Sequence, residues 1–238
     1  MKKQLTVILL SALILSGCAS GRMGNPGAIM AGVEQFRVDV KGVSSHAARP
    51  DLGVDTVLVT TTIINNLQQI VARTVSPFES AVLSVTHIEV GNTWNVLPAA
   101  GFFEGTIRTF EPKVREDVIA RFEKVVQATA DQFGAQVDIT WGNSPYVTYN
   151  DQTLTPLIFE NSKAFAEVIE TLPSTGGEDF AAYQKEIPGV FAFIGSNGED
   201  NAPDWHHDDF LVKDEALPVA VNYYVENALF LLDYFKEQ

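Results

Sequence analysis

Cysteine and basic residues are scarce in this sequence of 238 residues. A single cysteine is present, so an intrachain disulfide is excluded. Lysine and arginine total 16 against 30 aspartates and glutamates, and residues 150–238 hold 17 of the acids but 4 of the bases. Nucleic acids and anionic membrane surfaces are bound through basic patches. The composition therefore argues against a nucleic-acid partner and against a membrane surface bound by charge.

The N-terminus has an apolar run, Leu5 to Leu15, that is shorter than the roughly 20 residues needed to span a bilayer. It follows two lysines, an order typical of an export signal. The tetrapeptide that ends at Cys18 resembles a bacterial lipobox, in which the cysteine is lipidated. We therefore predict a lipoprotein-type signal over residues 1–18 and export to the membrane or periplasm, with a lipid anchor as the only membrane attachment. An ordinary secretory signal with an incidental cysteine is the alternative.

Strand and helix patterns alternate regularly between Glu34 and Asn143. Patterns of strand, helix, strand, strand, helix and strand follow one another at residues 36–40, 53–72, 81–90, 102–110, 114–133 and 137–141. The helix from Val114 to Phe133 has the clearest apolar stripe at helical spacing. The order βαββαβ predicts a four-stranded antiparallel sheet with both helices on one face, a ferredoxin-like unit.

The remainder of the chain predicts a less complete unit. Helical patterns occupy residues 154–169, 178–185 and 217–235, and residues 190–195 form one apolar strand. A single strand cannot satisfy the hydrogen bonds of its own edges. We therefore expect this strand to lack sheet partners within the chain and the surrounding tail to be loosely packed. The glycine-rich residues 21–27 are typical of a linker.

Several polar motifs lie outside these core patterns. His46 stands in the serine-rich stretch "GVSSHAARP", and Asn95 in "GNTWNVLP"; each alone is compatible with an ordinary polar loop residue. Arg108 in "GTIRTF" is predicted on the face opposite the core-facing Ile107, because successive strand residues point to opposite sides. The paired glycines of "STGGEDF" are typical of an anion-binding loop or of a helix N-terminus.

Taken together and in order, these motifs resemble the aminoacylase and hippurate-hydrolase group of zinc amidohydrolases, which also includes indole-acetyl-amino-acid hydrolases (metallopeptidase clan MH). The stretches that carry the resemblance are "GAIMAGVEQFRVDVKGVSSHAARPDLGVDT", "GNTWNVLPAAGFFEGTIRTF", "STGGEDFAAYQKEIPGVFAFIG" and "WHHDDFLVKDEAL". The resemblance implies an α/β (α+β) protein with a ferredoxin-like lid and dimerisation domain at residues 34–147. Residues 19–33 and 148–238 would then be a linker and an incomplete remnant of an α/β zinc-peptidase catalytic domain.

The resemblance also implies roles for residues of the lid. His46 matches a histidine that reaches the partner subunit's active site and stabilises the oxyanion formed during amide attack. Asn95 and Arg108 match residues that hold the substrate's carboxylate or its scissile carbonyl. A homodimer formed through the lid and a small N-acyl amino acid or amide substrate follow from the same resemblance.

In the catalytic domain the resemblance implies two zinc ions per subunit in intact relatives. His206 matches a zinc ligand, and His207 replaces a residue that is not a ligand. Thr175, Gly176 and Gly177 would line the substrate pocket.

The departure from the family pattern concerns the metal site. Relatives carry a His-x-Cys-x-His or His-x-Asp segment, a Glu-Glu pair and a further His or Asp ahead of the lid, and this sequence contains no Glu-Glu dipeptide. One ligand without a base does not make a zinc site that activates water. We therefore predict a truncated amidohydrolase that is weakly active or inactive alone. The alternatives are an exported lipoprotein that uses the lid as a dimerisation or ligand-binding module, and one half of a split enzyme.

Overall fold

The computed structural model describes residues 9–15, 21–24, 26–142, 145–196, 202–203 and 205–237. The chain divides into two compact units. The central unit is Gly32–Pro145, and the terminal unit comprises the described residues up to Ala31 and from Tyr146 onward. The strands are β1 (Leu9–Leu15), β2 (Gly21–Gly24), β3 (Gly27–Met30), β4 (Gly32–Lys41), β5 (Ser45–His46), β6 (Ala81–Val90), β7 (Val96–Leu97), β8 (Ala100–Thr109), β9 (Gln136–Trp141), β10 (Thr148–Asn150), β11 (Val168–Thr171) and β12 (Gly189–Gly195). The α-helices are α1 (Thr56–Thr74), α2 (Pro112–Phe133), α3 (Leu154–Ser162), α4 (Phe180–Gln184) and α5 (Ala216–Lys236).

The central unit has the βαββαβ order expected from the sequence. Its four-stranded sheet runs β6-β8-β4-β9, with every neighbouring pair antiparallel. Phe36, Val38 and Phe103 on the strands pack in one buried cluster with Ile63 of α1 and Phe122 of α2. The alternating apolar residues that predicted β4 therefore lie on the side of the sheet that the helices cover.

Local signals define the ends of both helices of the central unit. The Asp55 side chain accepts a hydrogen bond from the backbone N–H of Leu58 at 3.1 Å and caps the start of α1. Proline occupies the first turn of α2, where its missing N–H is not needed. Gly134 follows α2 with φ of 73°, a left-handed conformation that glycine adopts at low cost.

The terminal unit is organised around β12. The sheet order is β1-β12-β2-β11, and β12 pairs in parallel with all seven residues of β1 and antiparallel with β2. The prediction that this strand has no sheet partner in the chain is therefore wrong. The glycine-rich segment expected to be a linker includes β2, which pairs with both β12 and β11. Periodicity missed these partners because sheet pairing is a backbone interaction that glycine can also make.

Both faces of β12 are buried. Val190, Ala192 and Ile194 pack with residues of α3 and α5, whereas Phe191 and Phe193 face Met30 and α4. Asn150 of β10 hydrogen-bonds to this strand through its side chain. Its amide nitrogen donates to the carbonyl of Phe191 at 2.9 Å, and its amide oxygen accepts from the Phe191 N–H at 2.7 Å. A continuous apolar run is what a strand covered on both faces requires.

The helix predicted over residues 154–169 is shorter in the structure. Helix α3 ends at Ser162, and Val168–Thr171 forms β11, an edge strand of the terminal sheet. The β-branched residues Val168, Ile169 and Thr171 favour a strand over a helix. The apolar residues of this segment were compatible with either structure, and pairing with β2 decided between them.

The structure describes only residues 9–15 of the predicted export signal. Leu9–Leu15, within its apolar run, is strand β1, and Cys18 lies outside the described residues. Among the residues that the structure describes, none of the helices combines the length and apolarity needed to cross a bilayer.

Removing residues 1–18 tests the role of β1. The shortened chain loses the partner of one edge of β12, and unpaired backbone groups beside a buried strand are costly. We expect faster amide hydrogen exchange across Gly189–Gly195 and unchanged protection in Gly32–Lys41 of the central unit. Equal protection of β12 in the full and shortened chains would show that Leu9–Leu15 does not stabilise this sheet.

Candidate functional site

A small two-stranded ladder in the central unit brings His46 and Asn95 close together. His46 of β5 lies opposite Val96 of β7, and the N–H of Ala47 donates to the backbone carbonyl of Asn95 at 3.0 Å. The Asn95 side-chain oxygen accepts from the Thr93 hydroxyl at 3.1 Å. The structure therefore groups two of the residues that the sequence predicted for the site.

The hydrogen bonding of His46 determines which ring nitrogen carries its proton. The backbone N–H of Ala48 donates to Nδ1 at 3.0 Å, so Nδ1 acts as an acceptor. A neutral imidazole with an accepting Nδ1 carries its proton on Nε2. Because the side chain is exposed, Nε2–H is a donor that a ligand can reach.

Arg108 lies on the open face of the central sheet, as predicted. Ile107 is 1% exposed in the core, while Arg108 is half-buried in a groove of about 410 Å³ on the other side. Partial burial lowers the pKa of Arg108, although a guanidinium remains cationic in proteins. Within the described part of the chain, the Arg108 guanidinium has neither an ion-pair nor a hydrogen-bond partner.

Arg37 lines the same groove, but its charge is already neutralised. Its guanidinium bonds Asp39 at 2.9 Å and Glu104 at 2.8 Å, and it lies over the ring of Phe102. The hydrogen bond from His87, at 2.9 Å, and then the bond from Arg37 hold the pKa of Glu104 below its usual range. Among the described residues, the groove therefore presents one arginine side chain that is paired and one that has no partner.

Thr106 was missed by the sequence analysis. It precedes Arg108 by two residues on β8, so both side chains lie on the same sheet face and line the groove. Its hydroxyl oxygen is buried and has no hydrogen-bond partner among the described residues. The spacing within "GTIR" was the available signal, since alternate strand residues share a face.

In the terminal unit, the loop of Thr175, Gly176 and Gly177 packs beside the turn that carries His206. A β-carbon placed on Gly176 would lie 3.2 Å from the Trp205 ring and 3.1 Å from the Met30 side chain. Trp205 also packs against the buried cluster on one face of β12. Two motifs that are about 30 positions apart in the sequence are therefore neighbours here.

His206 adopts an unusual backbone conformation. Its φ is 65°, and it is the only residue other than glycine with positive φ in the described ranges. Left-handed backbone costs a residue with a β-carbon roughly 1–2 kcal/mol, and such strain often marks a functional position. The exposed His206 ring has no hydrogen-bond partner among the described residues, whereas Nδ1 of His207 accepts from the Asp209 N–H at 3.1 Å. His206 is thus the freer of the two imidazoles.

Comparison with known proteins identifies the family of this chain. Residues 18–229 match the sequence profile of peptidase family M20/M25/M40. The chain belongs to this family. N-acetyl-L-cysteine deacetylase of Bacillus subtilis is 40% identical over 217 residues, which cover 90% of this chain and 51% of the relative. The IAA-amino acid hydrolase ILR1-like 5 of Arabidopsis thaliana is 34% identical, covering 81% of this chain and 46% of the relative.

Solved structures agree with this family assignment. The YXEP protein of Bacillus subtilis, described as a dinuclear metal binding peptidase from the M20 family, matches with a TM-score of 0.76 and 31% identity. The match covers 95% of this M20 chain and 57% of the solved chain. This chain thus spans about half the length of the curated relatives it matches. The resemblance to amidohydrolases stated from the motifs is confirmed.

The residues described in this M20 chain do not by themselves fit a dinuclear metal centre. No group of three or more His, Cys, Asp and Glu side chains that could hold a metal occurs among them. Glu178, next to the glycine loop, is half-buried, and burial followed by its hydrogen bond with Asp179 raises the pKa of its carboxyl. The sequence analysis gave Glu178 no site role; its position directly after the paired glycines was the available signal.

Substitutions at His206 test the strain in its turn. Because glycine tolerates positive φ, we expect His206→Gly to be more stable than His206→Ala by about 0.5–1 kcal/mol in urea denaturation. The same pair at His207 is the control, because His207 is not among the residues with positive φ. There the alanine variant should be the more stable one, and the same order at both positions would contradict the strained turn.

Proposed function

We propose that this M20 chain acts in the hydrolysis of N-acyl amino acids and that its groove on the central sheet binds the substrate's carboxylate. The observation that carries this proposal is the half-buried guanidinium of Arg108, which has no partner among the described residues. A carboxylate accepts two parallel N–H bonds from such a group. The groove of about 410 Å³ is in the size range of small-molecule sites.

The neighbouring hydroxyl of Thr106 supports the same ligand. Its buried oxygen lacks a partner among the described residues, and an unsatisfied buried polar group costs roughly 1–3 kcal/mol. A bound carboxylate or amide oxygen would accept its hydrogen bond. Arg37 does not compete for the ligand, because Asp39 and Glu104 already occupy its guanidinium.

The activities for which the relatives are named suggest the substrate class. One relative is an N-acetyl-L-cysteine deacetylase, and another, of Exiguobacterium sibiricum, is an N-acetyldiaminopimelate deacetylase at 32% identity. Both names describe an N-acylated amino acid, which has a free carboxylate beside the amide. An arginine groove that recognises this carboxylate is compatible with several side chains on the substrate.

His46 is proposed to act at the amide of a substrate. Its Nε2–H is the available donor, and donors aimed at the oxyanion of amide attack are typically worth about 10²–10³ in rate. The resemblance to amidohydrolases implies that this donor serves the partner subunit of a homodimer. We retain that arrangement as part of the proposal.

The metal site of this function is incomplete among the residues that the structure describes. The family neighbour is described as a dinuclear metal binding peptidase, and His206 is the candidate ligand here. We propose that the chain by itself is weakly active or inactive, because further ligands and a base are needed to hold a metal that activates water. No catalytic step through the metal follows from the residues present.

The carboxylate proposal is tested by substrate binding rather than by turnover. N-acetyl-L-cysteine titrated into the full chain should bind more weakly to Arg108→Ala by about 10–100-fold, because a charge-assisted hydrogen bond is lost. Isothermal titration calorimetry measures this loss. Arg121→Ala, which removes an exposed arginine of α2 in the same unit, is the matched control and should bind as the unaltered chain does. Equal binding by the Arg108 and Arg121 variants would exclude the groove.

Export and a lipid anchor on Cys18 remain a proposal based on the sequence pattern. If Cys18 is lipidated, the unaltered protein partitions with membranes and Cys18→Ser accumulates as an unprocessed precursor. Membrane fractionation with mass spectrometry of the N-terminus measures both. A chain that retains residues 1–17 in every fraction would instead favour Leu9–Leu15 as a permanent strand of the terminal sheet.

A further inference from the structure

The open face of the central sheet carries a second hollow besides the groove of Arg108. Its volume is about 500 Å³. Its lining includes side chains of three strands and two loops, which are Asp39 of β4, Glu89 of β6, Phe102 of β8, Ser44 and Asn92. We call this second site the acidic hollow, because two of these side chains are carboxylates.

Of the two carboxylates in the acidic hollow, Asp39 is already paired. Both of its oxygens accept hydrogen bonds from the Arg37 guanidinium, at 2.9–3.2 Å. The exposed Glu89 side chain has neither an ion pair nor a hydrogen bond among the described residues. An ammonium group donates three hydrogen bonds, and the Ser44 hydroxyl and the Asn92 amide are further acceptors in the same hollow. The acidic hollow therefore suits an ammonium group.

The acidic hollow and Arg108 lie at opposite ends of one sheet face. Phe102 and Arg108 are six positions apart on β8, so both side chains point to the open face, about 20 Å from each other. Glu89 is the register partner of Phe102 on the neighbouring strand. An N-acyl amino acid is too short to reach both ends, whereas an extended peptide of about six residues spans about 20 Å.

The surface between these two ends offers polar contacts without a free charge that competes for the ligand. The Arg37 guanidinium is held by Asp39 and by Glu104. The buried hydroxyl of Thr106 has no partner among the described residues. A peptide backbone carries a donor and an acceptor at nearly every residue, so it can satisfy such a group.

We propose that the open face of the central sheet binds a short extended peptide along β8. The C-terminal carboxylate of the peptide bonds to Arg108, and its N-terminal ammonium occupies the acidic hollow beside Glu89. The inference rests on the proposed function in one respect, namely that Arg108 receives a carboxylate. An N-acyl amino acid and the peptide therefore exclude each other at Arg108, but only the peptide uses Glu89, because the nitrogen of an N-acyl amino acid is uncharged.

A metal ion is a less suitable occupant of the acidic hollow. With Asp39 held by Arg37, Glu89 is the one carboxylate of this hollow that has no partner among the described residues. A hard cation such as Ca²⁺ takes six to eight oxygen ligands. No group of three or more potential metal-ligating side chains occurs in the described part of the chain.

The test measures peptide binding to the full chain by isothermal titration calorimetry. The probe is a hexapeptide of alternating alanine and serine with both ends free. Arg108→Ala should weaken its binding at least about tenfold, because a charge-assisted hydrogen bond is lost. Glu89→Gln should weaken it about two- to fivefold, the range expected for an exposed ion pair. Acetylating the N-terminus of the peptide should cause the same loss, with no further loss in the Glu89→Gln chain, because both changes remove one interaction.

Matched controls separate the ion pair from a general effect of charge. Glu116 is an exposed carboxylate of α2, the helix that covers the other face of the sheet, and Glu116→Gln should leave hexapeptide binding unchanged. Glu89→Gln should also leave the binding of N-acetyl-L-cysteine unchanged, and that of an alanine-serine-alanine tripeptide, because neither ligand reaches from Arg108 to Glu89. Excess N-acetyl-L-cysteine should displace the hexapeptide.

Three results would overturn the inference. These are the absence of hexapeptide binding, hexapeptide binding that Glu89→Gln leaves unchanged, and an equal loss with Glu116→Gln. N-acetyl-L-cysteine binding without hexapeptide binding would count against this inference alone. Hexapeptide binding that depends on both Arg108 and Glu89, without any binding of N-acetyl-L-cysteine, would count against the proposed function alone.

Discussion

The burial of β12 on two faces and two edges is the constraint on which the terminal unit depends. All seven of its residues are buried, so every apolar side chain needs a packing partner and every backbone group needs a hydrogen bond. β1 and β2 supply the edges, α3 and α5 cover one face, and Met30 with α4 covers the other. The glycine loop and the turn of His206 are built on this second face, through Trp205.

In the central unit the decisive feature is which charges already have partners. The open face of the sheet carries two arginines, and Asp39 and Glu104 neutralise one of them. A paired arginine stabilises the sheet face, but few of its N–H donors remain available to a ligand. Arg108, without such a partner in the described residues, keeps its bonding capacity for an anion. The capacity of this face to bind an anion therefore depends on which arginine is already paired and not on the number of basic residues.

Much of the fold was predictable because its signals are local. Alternation of apolar residues located β4, and helical spacing located α2 to within two residues at its N-terminal end. The motifs around His46, Asn95, Arg108 and His206 indicated the amidohydrolase family that the comparisons confirm. The partners of β12, the strand β2 and the end of α3 were predicted wrongly, because strand pairing is set by segments far apart in the chain.

The sequence by itself therefore determined the periodicity of the central unit, the family and most of the candidate site residues, since each depends on residue type and spacing. Only the tertiary structure decided that Nδ1 of His46 is an acceptor and that His206 has positive φ. It likewise decided that Arg37 is paired whereas the Arg108 side chain has no partner among the described residues. It also decided that large apolar side chains of α5, among them Val221 and Leu232, are exposed. These properties arise from contacts between distant segments, and periodicity along the chain carries no information about such contacts.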